Sequence, residues 1–393
     1  MFQNINIFFI LGLVVIVSKI FSFFLKKFNF PPFFAMILFG VILGSFGFIS
    51  DSKDIDTIKI FANIGIFILI FFAGLETDIH SLKKLNKNSI FISIGGVVLP
   101  FLLGYFVTYG FTKNFNLSFI LGLIFSSTSA SVAIMTLYKL GRLKTVEGNT
   151  ITNAAIVDDV IGILILSIIA GITSLKFFTI GDIIIISGLN VVIFVSVFLI
   201  SILLLPYLLK FLSFIKIEFV YFGIGILFLF VFLFFVGEIN SFTIMGSYFA
   251  GIFLSKSEFK SKIEETISVL QIIFVSIFFV FIGMQLNLTN FTHLFLPYVL
   301  TLTIIAFISK ILGSGIMARI VGFDIKRSLR IGVGMAPRGE IALIIASITY
   351  YYKNISLIRS EEFIAIILMV IITIFVSKYL LKLLFFEKKL NKD

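Results

Sequence analysis

The sequence predicts an all-α polytopic membrane protein of thirteen transmembrane helices, with six-helix repeats of opposite orientation on either side of a linker helix. Three observations predict it: the composition, the placement of the cations, and polar interruptions that recur in both halves. The chain is 60% hydrophobic and 13% charged over 393 residues, with a mean hydropathy of +1.19. A soluble domain is nearer half apolar and a quarter charged. A spanning helix needs about 20 mostly apolar residues. That ruler places segments at 5–25, 31–49, 58–76, 88–111, 117–138, 150–173, 180–207, 219–236, 239–255, 266–286, 294–318, 328–350 and 362–385.

The first segment reads better as a retained helix than as a signal peptide. Its leader "MFQNIN" carries no cation, Lys26 and Lys27 follow the apolar run, and no small-residue cleavage site is present. The expectation is a retained helix with its N-terminus outside. Segment 3 ends in "FFAGLETD" (71–78) and segment 10 in "VFIGMQLN" (280–287), seven segments later. An odd offset reverses orientation in the bilayer, which marks an inverted-topology repeat. Segments 1–6 then pair with 8–13, and segment 7 is a linker. Segment 5 carries "FSSTSASVA" (125–133), and its mate, segment 12, carries "GMAPRGEIA" (334–342). Clustered hydroxylic residues and a proline flanked by glycines are poor material for a continuous helix. Broken backbone at membrane depth is tolerated only inside protein or along a polar cavity. Paired breaks in both halves point to a transporter's substrate site.

Segment 6 holds "NAAIVDDVIGILIL" (153–166), with Asp158 and Asp159 adjacent in an aliphatic run. Thr152, Ala155, Asp159 and Gly162 recur at helical spacing and form one small, polar face. Asp158 lies about 100° round the helix, so the two carboxylates need not share a neighbour. Lys310 in segment 11 and Arg338 and Glu340 in segment 12 fall at similar depth. A charge there costs roughly 2.5–3.5 kcal/mol on insertion scales. Such groups persist where they pair, face a cavity, or carry ions.

The cations test the topology. With thirteen spans and an external N-terminus, 22 of the 31 Lys and Arg fall on the cytoplasmic side and 6 outside, with Lys19, Lys310 and Arg338 within segments. That asymmetry satisfies the positive-inside rule. It also explains the net charge of +11 without a nucleic-acid partner. The absence of cysteine removes disulfides, thiolate metal sites and thiol nucleophiles. His80 and His293 lie in loops on opposite sides and make no ligand set. A hydrolytic aspartate pair is expected on separate elements with water between, and no further Asp cluster is present for magnesium and diphosphate. No selectivity ring or carbonyl filter of a channel is legible. The expectation is therefore a transporter, not an enzyme, with no cofactor.

"IVDDVIGILIL", "SSTSASVA", a lysine in an apolar helix before "GVGMAPRGEIALI", and "FIGMQL" together resemble the second family of bacterial and archaeal monovalent cation:proton antiporters, of the two-aspartate electrogenic type. The resemblance covers nearly the whole chain. It implies the thirteen-helix sodium/proton antiporter fold with crossed discontinuous helices. It implies a dimerisation domain from 1–87 and 217–290, a transport core from 88–175 and 291–393, and a linker helix in 176–216. By the same resemblance, Asp159 and Asp158 bind the sodium ion and protons together with Thr128 and Ser129. Asp158 also makes a proton-coupling salt bridge to Lys310, and Arg338 and Glu340 belong to the second broken helix. The substrates are then sodium or lithium and protons, exchanged across the plasma membrane by a homodimer. The alternative is a potassium/proton antiporter or potassium-efflux transporter of the same fold. Those relatives usually have Gln in place of Asp158 and often carry a nucleotide-binding domain. The chain ends eight residues after segment 13, so no such domain is expected.

Overall fold

The computed structural model describes residues 7–26, 31–45, 52–77, 86–173, 175, 178–213, 240–255, 260–286, 295–351 and 357–385. Segment 219–236, His80 and His293 lie outside the described residues. Among the described residues all regular structure is helical: α1 (Ile7–Lys26), α2 (Pro32–Ser45), α3 (Ser52–Glu76), α4 (Lys87–Thr112), α5 (Phe115–Ser126), α6 (Ala130–Lys139) and α7 (Val146–Ile172). The second half continues with α8 (Ile180–Ser213), α9 (Ser241–Leu254), α10 (Lys260–Met284), α11 (Phe295–Ile320), α12 (Ile325–Gly334), α13 (Glu340–Tyr351) and α14 (Ser360–Phe385). Helices α5 with α6, and α12 with α13, are the two interrupted spans, so the described helices account for twelve of the thirteen segments.

The chain divides into two compact units, Met1–Asp78 with Ser187–Phe291, and Ile79–Ile186 with Thr292–Asp393. In the first unit two helix crossings are built on glycine. A Cβ on Gly74 (α3) would lie 2.0 Å from the Tyr248 carbonyl oxygen of α9, and one on Gly251 would lie 2.0 Å from that of Phe71. A Cβ on Gly40 (α2) would lie 2.1 Å from the Val280 oxygen of α10, and one on Gly283 would lie 2.0 Å from that of Ile37. Only a residue without Cβ lets the backbones meet so closely, the small-residue packing that replaces hydrophobic drive in lipid. The two crossings are repeat mates. Gly74 and Gly283 are the glycines of "FFAGLETD" and "VFIGMQLN", so that sequence match is a shared packing requirement.

In the second unit, side-chain caps set where helices begin. Thr145 accepts from the Gly148 amide at 3.1 Å and starts α7, and Asp324 accepts from the Arg327 amide at 3.1 Å and starts α12. Each satisfies an amide that has no intrahelical partner. Both helices therefore begin before the apolar segments do, at 146 rather than 150 and at 325 rather than 328. Arg330, counted among the cytoplasmic-side cations, lies within α12 and is buried. Its Nη1 donates to Glu147 Oε1 of α7 at 2.9 Å, its Nε donates to the Leu384 carbonyl of α14 at 3.1 Å, and its guanidinium covers the Phe385 ring. A buried cation needs both a counter-charge and hydrogen-bond acceptors, and the packed ends of α7, α12 and α14 supply them.

Candidate functional site

The site is assembled where the two interrupted spans meet. After Ser126 the chain leaves the helix, with Ser127 at φ −66°, ψ 149° and Ser129 at φ −108°, ψ 96°, both extended. The second span is interrupted between Gly334 and Glu340. The amide of Ser129 donates to the Pro337 carbonyl at 2.8 Å, which joins the two breaks through their backbones. Prolines and hydroxylic residues supply these breaks because neither supports an uninterrupted helical ladder.

Asp158 comes from α7 and is met by three donors. Ser93 of α4 donates its hydroxyl to Oδ1. Thr128, in the first break, donates to Oδ2 at 2.5 Å, and Lys310 of α11 reaches the same Oδ2 at 2.7 Å. The side chains of Lys310 and Asp158 are 0% and 2% exposed, so this ion pair is enclosed. Room for the ammonium comes from Gly96 of α4, where a Cβ would sit 3.4 Å from Nζ and 2.3 Å from Ser314 Oγ. A carboxylate offers about four lone-pair positions, and three are occupied here. Asp159, next along α7, is half-buried and acts electrostatically on Lys310.

The remaining charges complement the broken helix ends. The C-terminus of α5 exposes carbonyls that have lost their helical donors, together with the negative end of the helix dipole. Lys310 Nζ donates to the Ser126 carbonyl at 2.9 Å, and Arg338 Nη1 donates to the Ser127 carbonyl at 2.6 Å. Arg338 Nη2 also holds the Ala306 carbonyl of α11, one turn before Lys310, at 2.5 Å. Both cations belong to the second half of the chain and cap a half-helix of the first. Glu340 does the reverse: it stands in the first turn of α13 and acts on Ser129, the N-cap of α6. Its carboxylate thus faces two positive helix ends. Arg338 and Glu340 are spent on backbone and helix ends, not on each other.

The structure therefore brings Asp158, Thr128 and Lys310 into direct contact, places Asp159 beside them, and sets Ser129, Arg338 and Glu340 one contact away. Nothing in the sequence singled out Ser93 or the Ser126 and Ser127 carbonyls. Every helical residue has a carbonyl, and most serines in apolar helices bond their own preceding turn, as Ser276 does with Ile272.

Such a site suits a small monovalent cation competing with protons. Its oxygens are hard donors, two carboxylates stand side by side, and a lysine ammonium already occupies one of them. Comparison with known proteins agrees with that chemistry. The chain is 32% identical to a probable sodium/proton antiporter, GerT, of Bacillus cereus, over 86% of this chain and 88% of the relative. It is 30% identical to the sodium/proton–potassium antiporter GerN of the same organism, over 97% of both. The solved structure of the sodium/proton antiporter MjNhaP1 from Methanocaldococcus jannaschii at pH 8 superposes with a TM-score of 0.74 at 16% identity, covering 96% of this chain and 97% of that one. The antiporter fold expected from the sequence is therefore the fold of this chain, and the described helices fit twelve of its thirteen expected segments. The model of the transmembrane sodium/hydrogen exchanger family matches residues 12–387, and the chain belongs to that family.

Proposed function

We propose that this sodium/proton antiporter works by competition between sodium and protons at Asp158, Asp159, Thr128 and Ser129, with Lys310 as the movable counter-ion. The observation that carries the reading is the enclosed Asp158–Lys310 pair at the break of the first interrupted span. In the state with that pair closed, Lys310 neutralises Asp158 while Asp159 takes up a proton. Sodium entering at Asp159 draws on Asp158 and the Thr128 hydroxyl, whose oxygen can turn from donor to ligand. A buried ammonium stripped of its carboxylate loses its proton more easily, and a second proton leaves Asp159. Two protons then move against each sodium ion, so exchange is electrogenic. Alternating access of the unit that carries the site, Ile79–Ile186 with Thr292–Asp393, delivers the ions to either side. Residues 1–87 and 217–290, most of which belong to the other unit, form the dimerisation domain of a homodimer, with 176–216 as the linker helix. The basic residues favour a plasma-membrane orientation with the N-terminus outside and the C-terminus in the cytoplasm.

A second reading concerns the ion. The name of GerN includes potassium, and that relative aligns over nearly the whole chain. Potassium is therefore a competing substrate at the same carboxylates. One assay addresses both. The purified protein is reconstituted in vesicles containing a pH indicator and pulsed with sodium, lithium or potassium. Sodium is expected to move protons, and Asp159→Asn is expected to abolish the signal, because an amide neither releases a proton nor neutralises a cation. Near-normal exchange by a folded Asp159→Asn protein would remove Asp159 from the mechanism.

A further inference from the structure

Helices α4 and α11 cross through backbone that carries no side chain. A Cβ on Gly313 would lie 2.3 Å from the Gly95 carbonyl oxygen, and one on Gly95 would lie 2.7 Å from that of Gly313. The crossing brings Lys310 and Ser314, one turn apart on α11, against Gly96 of α4. A Cβ on Gly96 would lie 2.3 Å from Ser314 Oγ and 3.4 Å from both Cε and Nζ of Lys310. The hydroxyl and the ammonium thus border the same bare stretch of α4. Ser314 is 0% exposed, and its Oγ has no hydrogen-bond partner among the described residues. The rest of α11 shows what a hydroxyl in this helix ordinarily does. Thr301, Thr303 and Ser309 each donate to a carbonyl of the preceding turn, at 2.8, 2.7 and 3.1 Å. An enclosed hydroxyl left unmatched costs free energy, and at Ser314 that cost falls beside the cation that the exchange mechanism moves.

We propose that Ser314 is a positioning residue for exchange: it receives the Lys310 side chain when sodium displaces that side chain from Asp158. The inference rests on the reading of Lys310 as the movable counter-ion. In the closed pair, Ser126 and Asp158 take two of the three ammonium donors. Lysine has a flexible four-carbon stem, so Nζ turns from Asp158 to Ser314 while α11 stays in place. The two groups match on both sides of the proton release. As an ammonium, Lys310 donates to Ser314 Oγ. Once it has given one proton to the open aqueous side, its amine lone pair accepts from the Ser314 hydroxyl, which donates as readily as it accepts. An apolar side chain at 314 would offer the displaced lysine neither bond. Ser314 therefore favours sodium binding through its unequal interaction with the two positions of Lys310.

The test compares Ser314→Ala with wild type in the purified full chain, measuring the melting temperature in sodium-free buffer and the dissociation constant for sodium at one alkaline pH. Without sodium the variant is expected to melt at or above the wild-type temperature, since the lost hydroxyl made no bond there. It is expected to bind sodium about tenfold more weakly. A hydroxyl that only supports packing would do the opposite, lowering the melting temperature and leaving the sodium affinity alone. Thr303→Val, which removes a hydroxyl satisfied within α11, is expected to bind sodium as wild type does. Adding Ser314→Ala to the Lys310→Gln, Asp158→Asn double variant is expected to weaken sodium binding no further, because no lysine is left to receive. Three results would overturn the role of Ser314: an unaltered sodium affinity in Ser314→Ala, an equal loss in Thr303→Val, or the same tenfold loss on the double-variant background. The exchange reading is judged separately, by sodium-driven proton movement in wild type and its loss in Asp159→Asn. With both observed, an unaltered affinity in Ser314→Ala removes this inference alone.

Discussion

Asp158 illustrates what one residue in this fold requires. A lone ionised carboxylate in an apolar interior is strongly disfavoured. Here it is tolerated because Ser93, Thr128 and Lys310 all donate to it. The sequence made the charged partners legible, since Asp158, Asp159, Lys310 and Arg338 interrupt apolar runs where any charge needs a reason. It hid Ser93, because a buried serine is inconspicuous in a helix whose own carbonyls can satisfy it. The three donors do different work, and substitutions separate them. Thr128→Val should raise the apparent Michaelis constant for sodium about tenfold, the size of one hydrogen bond to a charged group, with little change in expression. Thr303→Val is the matched control, because that hydroxyl bonds the Val299 carbonyl within its own helix. Ser93→Ala leaves Oδ1 short of its donor and should lower the melting temperature by the equivalent of about 1–3 kcal/mol. An unchanged melting temperature would mean that water or a rearranged side chain replaces the serine at no cost.

Among the elements, the two breaks were legible as small, hydroxylic and proline-rich stretches, and they lie within the expected windows, at 127–129 and 335–339. The helix ends were less legible. Hydropathy does not register a polar first turn, so α7 and α12 begin earlier than the apolar ruler places them. The glycine crossings were half legible: the repeated motif was visible, but what each glycine touches was not. Their contribution is testable by adding a single carbon. Gly74→Ala puts a Cβ 2.0 Å from a carbonyl oxygen of α9, an overlap that only separation of α3 and α9 can relieve. Overpacking of this kind typically costs about 1–3 kcal/mol, so the melting temperature in detergent should fall. Gly12→Ala and Gly188→Ala, where nothing lies within 4 Å of the added carbon, should leave it unchanged or raise it, since alanine favours helix by about 1 kcal/mol over glycine. Equal effects at all three positions would show that the crossing at Gly74 does not need a bare backbone.

For the whole molecule, the inverted repeat explains why the charges of one half serve the other. Lys310 and Arg338 from the second repeat cap the half-helix that ends at Ser126 and Ser127, and Glu340 faces the half-helix that begins after Ser129. Part of this network is tied to backbone: the guanidinium of Arg338 is held by the Ser127 and Ala306 carbonyls. Lys310 joins the Ser126 carbonyl to Asp158, and in the proposed mechanism sodium engages the same carboxylate, so the charge moved per cycle would depend on Lys310. Changing one partner alone, Lys310→Gln or Asp158→Asn, strands the other charge in an enclosed site, at a cost of roughly 3–5 kcal/mol. Changing both removes the pair together. The amide introduced by Lys310→Gln can still donate to the Ser126 carbonyl, and the one introduced by Asp158→Asn can accept from one of the Ser93 and Thr128 hydroxyls and donate to the oxygen of the other. The double variant is therefore expected to fold and to melt above either single one. Sodium would then compete with a proton at Asp159 only. In vesicles the double variant should exchange one proton per sodium and draw no current, whereas wild type should drive a sodium-dependent current and respond to an imposed membrane potential. A double variant that still moves net charge with each sodium would place the second proton on a group other than Lys310.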